Sequence, residues 1–195
     1  MNDTAVYRGI ETVMARIMSI ETIDGTAKAG WQMQYKNSYE EARIYNPCPL
    51  SPEEMLTQDC MTRALLHRIL GREEWAALCA KYSINDNEVI ESVQWLIPRV
   101  VSPAHHLFKS KCVTAWAIPQ KRGVEGQKAS RRGLPEKFYD ITSWDNDGTP
   151  DRTLRYWRSV TRRWLEQRIN DAFTKARPIL EEKGLILPEK ITQAA

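Results

Sequence analysis

Residues 150–175 constrain the fold more than any other stretch of the chain. On a helix of 3.6 residues per turn, Leu154, Trp157, Thr161, Trp164, Leu165, Ile169, Ala172 and Ala176 fall on one side. Arg152, Arg155, Tyr156, Ser159, Arg162 and Arg163 fall on the other, with Arg158 on the border. Burying each large side chain of the apolar stripe contributes roughly 1.5–3 kcal/mol. The stripe therefore predicts a long helix packed on the rest of the protein. Thr149 as N-cap and Pro150 at the first helical position supply a start. The helix is expected to reach about Lys175, with Pro178 beyond it. The closing "ILEEKGLILPEKITQAA" reads as a short helix and a frayed tail.

The other elements predicted are mostly helical too, about seven helices in all. Ile10, Val13, Met14 and Ile17 recur at helical spacing within a helix over Thr4–Ile20. "WQMQY" alternates Trp31, Met33 and Tyr35 with glutamine, so at most a short β element is expected near 31–45. "NPCPLSP" (46–52) carries three prolines and reads as an extended connector. Ser51, Pro52 and Glu54 form a capping-box start for a helix to Leu70, with Leu56, Cys60, Ala64 and Met61, Leu65, Ile69 as its apolar rows. "REEWAALCAKY" puts Trp75, Leu78, Cys79 and Tyr82 on one face, and Asn85 with Glu88 caps the next helix, which ends before Pro98. Ser102 and Pro103 repeat the cap-then-proline signal and open a helix closed by Pro119. The fold class expected is a mostly α helical bundle with a helix-turn-helix-like C-terminal unit.

Charge divides the chain. Residues 1–100 carry 10 Lys+Arg against 14 Asp+Glu, and residues 101–195 carry 18 against 11. An acidic half joined to a basic half suggests that the basic half binds a polyanion. The chain is read as a helical, acidic N-terminal part (1–118), a basic flexible loop (119–137) and a C-terminal part (138–195). The loop holds three Gly, two Pro and six Lys+Arg. Loops of that length without structure of their own are usually functional or disordered.

The cationic side of 150–175 is arginine throughout, with no lysine before Lys175 and no glutamate until Glu166. Exposed helices normally interleave Glu and Lys at i, i+4 spacing. Arginine's planar fork suits phosphate or the O6/N7 edge of guanine, and Tyr156 and Ser159 add groups of the kind that contact phosphates. Arg152, Arg155, Tyr156, Arg158, Ser159, Arg162 and Arg163 are thus expected to line a recognition helix in the major groove of double-stranded DNA. "FYDITSW" (138–144), either helical or extended, and the "DNDG" turn (145–148) would complete a helix-turn-helix-like unit. Lys121, Arg122, Lys128, Arg131 and Arg132 on the loop would reach phosphates or the minor groove.

Catalytic signatures are missing. There is no P-loop, G-x-G-x-x-G, H-E-x-x-H or G-x-S-x-G. An EF-hand loop with its glycine at Gly148 would need an acid at Leu154. The cysteines (48, 60, 79, 112) form no C-x-x-C pair and read as ordinary buried thiols in a reduced cytoplasmic protein. His105 and His106 are assigned a surface or packing role. No metal or other cofactor, no membrane association and no enzymatic activity are expected; the oligomeric state stays open. Two alternatives stand beside DNA binding. One is an adaptor or inhibitor docking the arginine helix on an acidic protein. The other is a metal-dependent nuclease using Asp140, Asp145, Asp147 and Asp151.

The segment "YDITSWDNDGTPDRTLRYWR", with the basic tract before it, resembles small phage- and prophage-encoded transcription regulators, nearest to the Q-like antiterminators. The likeness is one of organisation and covers about 40 residues. Some Q proteins hold a zinc-binding cysteine cluster that this sequence does not have, so the resemblance is to a zinc-free branch. It implies a protein that binds DNA near a promoter, loads onto paused RNA polymerase and suppresses termination. The acidic half or the loop would touch polymerase or its sigma factor.

Overall fold

The computed structural model describes residues 5–20, 50–120 and 134–188. They form six α-helices: α1 (Ile10–Ile17), α2 (Pro52–Ile69), α3 (Arg72–Tyr82), α4 (Asp86–Leu96), α5 (His106–Ala117) and α6 (Asp151–Glu182). Three 3₁₀ turns accompany them, at Ile97–Arg99, Glu136–Tyr139 and Ile141–Trp144. The protein is an α-helical bundle. Among the described residues there is no strand, only an isolated parallel bridge between Tyr7 and Ile186. The short β element expected near 31–45 and the basic loop residues Lys121, Arg122, Lys128, Arg131 and Arg132 lie outside the described residues.

α3 is the centre of the bundle. Ala76, Ala77, Leu78, Cys79 and Ala80 are all buried, so the helix is enclosed on nearly every side rather than on the single face expected. Its alanines let α4 and α6 approach closely. α1 starts at Ile10, after Gly9, six residues later than Thr4, and buries Ile10, Val13, Met14 and Ile17 as their spacing predicts. Asn85 caps α4 through the N–H of Asn87, but Glu88 does not complete the box. It accepts from Ser83 Oγ and Arg63 instead.

α2 begins with the predicted capping box, in which Ser51 Oγ accepts from the Glu54 N–H and Glu54 accepts from the Ser51 N–H. Its apolar rows are out of phase with expectation. The buried residues are Met55, Asp59, Thr62 and Leu66, while Leu56, Cys60 and Met61 are exposed. A polar network explains this. Asp59 receives Tyr7 Oη at 2.8 Å, Arg16 Nε at 3.2 Å and a second Arg16 nitrogen at 2.6 Å. A buried carboxylate is tolerable when it is paired and hydrogen-bonded, so α2 turns a polar pair toward α1. Burial, with the Asp59 charge beside it, pushes the Tyr7 phenol well above its ordinary range.

α6 is longer than predicted. It passes through Pro178 and ends at Glu182. Pro178 has no N–H to give the Thr174 carbonyl, but both residues are exposed, so water can serve that carbonyl. The helix continues because Leu180 is fully buried. A Schellman motif then closes it. Gly184 N–H reaches Glu181 O, Leu185 N–H reaches Leu180 O, and Gly184 takes φ +66°. Leu185 and Ile186 are buried where a frayed tail was expected, and the Tyr7 N–H donates to Leu185 O at 2.9 Å.

Candidate nucleic-acid interface

α6 crosses two hydrophobic clusters. Leu165, Ile169, Ala172, Ala176 and Leu180 belong to the main core with α1, α3 and α4. Leu154 belongs to a smaller cluster with Ala104, Phe108, Cys112 and Trp144, flanked by Ala115, Ile141 and Trp157. The Phe108 ring meets Trp144 edge-on at 5.3 Å and Trp157 at 5.5 Å. Aromatic pairs at such spacing add roughly 0.5–1.5 kcal/mol beyond their burial. This small cluster holds the first turns of α6 against α5.

The segment before α6 folds as the two 3₁₀ turns Glu136–Tyr139 and Ile141–Trp144, not as an α-helix. Asp140, between them, caps the second through Thr142 and is spent on that bond. Tyr139 Oη donates to Ile118 O, Trp144 Nε1 to Phe138 O and Lys111 Nζ to Ser143 O. A short helical element, a turn and a long helix are thus present in order, with 3₁₀ geometry in the first position.

His105 and Asp145 join this segment to α5. His105, not Ser102, is the N-cap of α5, and its Nδ1 accepts the Phe108 N–H at 3.3 Å. The ring proton therefore sits on Nε2, which donates to Asp145 Oδ1 at 3.1 Å. Asp145 also accepts the N–H groups of Asp147 and Thr149. The Thr149 N–H, foremost, holds the Asp145 carboxyl below its usual range. Thr149 is occupied there and does not cap α6; the N-cap is Pro150. Ser102 Oγ accepts instead from Thr161 Oγ1 of α6 at 3.0 Å.

Of the four acids proposed as a metal cluster, the fold gathers Asp145 and Asp147 with His105, whose ligand atoms lie within 4.8 Å of one another. Asp151 is paired with Arg155 instead. A cation on His105 Nε2 would force the ring proton onto Nδ1, against the Phe108 N–H. The bonding of this trio is thus better suited to tying the turn to α5 than to holding a metal.

All seven residues expected to line the interface on α6 are exposed, including Arg158. Tyr156 is 60% exposed. From Arg152 to Arg163 the edge runs about 16 Å at 1.5 Å per residue. Arg155 pairs with Asp151 one turn earlier at 2.8 Å, both well exposed. No acidic side chain among the described residues pairs with Arg152, Arg158, Arg162 or Arg163. Their field reaches inward. Burial pushes the Cys112 thiol up to about 11, and the Arg158 and Arg162 charges work against that rise. The tryptophans sit at the border of the packed face, with Trp157 and Trp164 half-buried.

The remaining cations of α6 are engaged. Arg168 bonds Glu73 at 3.1 Å and Asp171 at 3.1 Å, and Lys175 bonds Glu74. Cys79 and Cys112 are buried thiols as expected, Cys79 pushed up to about 12 by burial, but Cys60 is exposed. His105, Asp145 and Lys111 position the arginine-bearing turns, and hydrophobic periodicity carries no signal for them. No described helix is long and apolar enough to cross a membrane. Compared with protein-family models, curated proteins and solved structures, the chain shows no significant match to any of them.

Proposed function

We propose that this chain is a DNA-binding transcription regulator that presents the first half of α6 to duplex DNA. One observation carries the reading. The guanidiniums of Arg152, Arg158, Arg162 and Arg163 form no ion pair among the described residues, Arg162 only adding its charge to those that hold the Glu166 carboxyl down, whereas cations further along the same helix are paired. An edge about 16 Å long matches about five base pairs at ~3.4 Å each. Tyr156 and Ser159 stand within the row and can donate to phosphate oxygens. Lys121, Arg122, Lys128, Arg131 and Arg132 would add phosphate contacts from the neighbouring loop. By its resemblance to zinc-free Q-like antiterminators, the finer proposal is a cytoplasmic antitermination factor. It would load from DNA onto RNA polymerase, with sigma factor as a further contact, and no catalytic step is assigned to it.

Fluorescence anisotropy with duplex fragments over a salt series tests this. Binding should weaken steeply, by about −0.9 in log–log slope for each neutralised phosphate. The double variant R155A/R162A should bind at least about tenfold more weakly with a slope shallower by about two. Unchanged affinity and slope would exclude α6 as the DNA-binding element. Capture of a protein from nuclease-treated lysate through the same arginines, without duplex binding, would instead identify an acidic protein as the partner.

A further inference from the structure

α2 carries a face that no described element covers. Its buried side, Met55, Asp59, Thr62 and Leu66, belongs to the contact with α1. Half a turn away lie Leu56, Thr57, Cys60, Met61 and Ala64, all exposed, with Leu56 at 53% and Met61 at 62%. The chain therefore spends an apolar stripe at helical spacing on the outside of the molecule. The ends of the stripe are charged with opposite sign. Glu53 and Glu54 lie in the first turn, and His67 and Arg68 in the last. Glu54 is occupied by its capping bond and His67 lies edge-on to Trp75. Glu53 and Arg68 form no ion pair with another described residue.

This pattern is self-complementary when the helix is reversed about the midpoint between Cys60 and Met61. We propose that two copies of the chain associate through an antiparallel α2–α2 contact with its twofold axis at that point. Glu53 of each copy then faces Arg68 of the other and Thr57 faces Ala64, with Cys60 and Met61 of both copies beside the axis and Leu56 at the edge of the seam. A twofold contact makes every such interaction twice. A parallel arrangement would set Glu53 against Glu53 and Arg68 against Arg68, which like-charge repulsion disfavours. Thr57, Cys60 and Ala64 are small, so the two axes can approach closely along the seam. An 18-residue helix is about 27 Å long. One such pair falls short of the roughly 1,600 Å² of a standard stable interface, so the dimer is concentration-dependent. The proposal is independent of DNA binding.

Sedimentation equilibrium of the full chain should show a monomer–dimer equilibrium. Met61→Glu should weaken it at least about tenfold by placing a charge at the centre of the contact. Glu53→Arg alone should also weaken it, and E53R/R68E should restore it, because both ends then exchange sign together. In a C48S background, a short bismaleimide should link two chains through Cys60 and fail with C60S. Thermal melts establish that each variant is folded. A wild-type chain that is monomeric across the accessible concentrations overturns the proposal, whether residues 21–49 or another partner covers the stripe. A dimer indifferent to Met61→Glu places the interface elsewhere. Loss with E53R that E53R/R68E does not reverse overturns the antiparallel register.

Discussion

The two halves of α6 differ in charge and in how they use it: residues 151–164 hold five arginines and one acid, and residues 165–182 hold three cations and four acids. In the second half, Glu166 accepts from Lys81 at 2.6 Å and from Trp116 Nε1 at 2.8 Å. Arg168 reaches Glu73 and Lys175 reaches Glu74. Its apolar seam, Leu165, Ile169, Ala172, Ala176 and Leu180, is at most 2% exposed. In the first half only Leu154 and Thr161 are buried, and the one ion pair among the described residues is the exposed Arg155–Asp151. Charge in the second half joins the helix to α3. Charge in the first half has no such use, and a row of cations kept in solvent is a cost in self-repulsion unless an external anion meets it. That contrast separates a structural helix end from an interactive one within a single element.

The largest effect that would test the contrast is on stability. Leu165→Ala should lower unfolding free energy by about 3 kcal/mol, read in denaturant melts, with faster hydrogen exchange along all of α6. Leu154→Ala should instead release mainly the turns from Asp151 to Arg158, because the small cluster holds only those. Equal loss of protection along the helix in both variants would mean that the two clusters open as one unit. A smaller effect concerns the cations. Arg168→Ala should cost about 1 kcal/mol, since its partners are partly exposed, whereas Arg163→Ala should change stability by less than about 0.5 kcal/mol. The reverse order in thermal melts would break the division.

The smallest effect is a pH dependence. Burial alone would raise the Glu166 carboxyl, but the Lys81 and Trp116 bonds outweigh it and hold the group below its ordinary range. A carboxyl lowered in the folded state stabilises fully above its unfolded value, about 4.3, and that contribution disappears as pH falls through the folded value. The stability difference between wild type and Glu166→Gln should therefore be constant above about pH 5 and shrink below about pH 4. A difference that grows on acidification would contradict the assigned bonding.

Much of this architecture was legible in the residues, and the failures share a cause. The apolar stripe of 150–175 is borne out at Leu154, Thr161, Leu165, Ile169, Ala172 and Ala176, with Trp157 and Trp164 half-buried at its border, because a 3.6 period over seven turns leaves little choice of face. The Ser51–Glu54 capping box is equally local. The phase of α2 was not legible. Periodicity assigned Leu56, Cys60 and Met61 to the core because they are apolar, and it could not see that Tyr7 and Arg16 would satisfy Asp59. The N-cap of α5 was missed for a related reason, since a histidine caps only where its ring is held, here by Asp145 forty residues away.

By itself the sequence determined the helical class, the start of α2 and the separation of tryptophans from arginines on α6, since each depends on spacing within one segment. The tertiary structure decided which face of α2 is buried, that α6 continues through Pro178 to seat Leu180, and which cations stay unpaired. Those outcomes depend on partners far along the chain: Glu73 lies 95 residues from Arg168 and Glu74 lies 101 from Lys175. Arg152, Arg158, Arg162 and Arg163 remain outward because the fold brings no described acid within ion-pair distance of them.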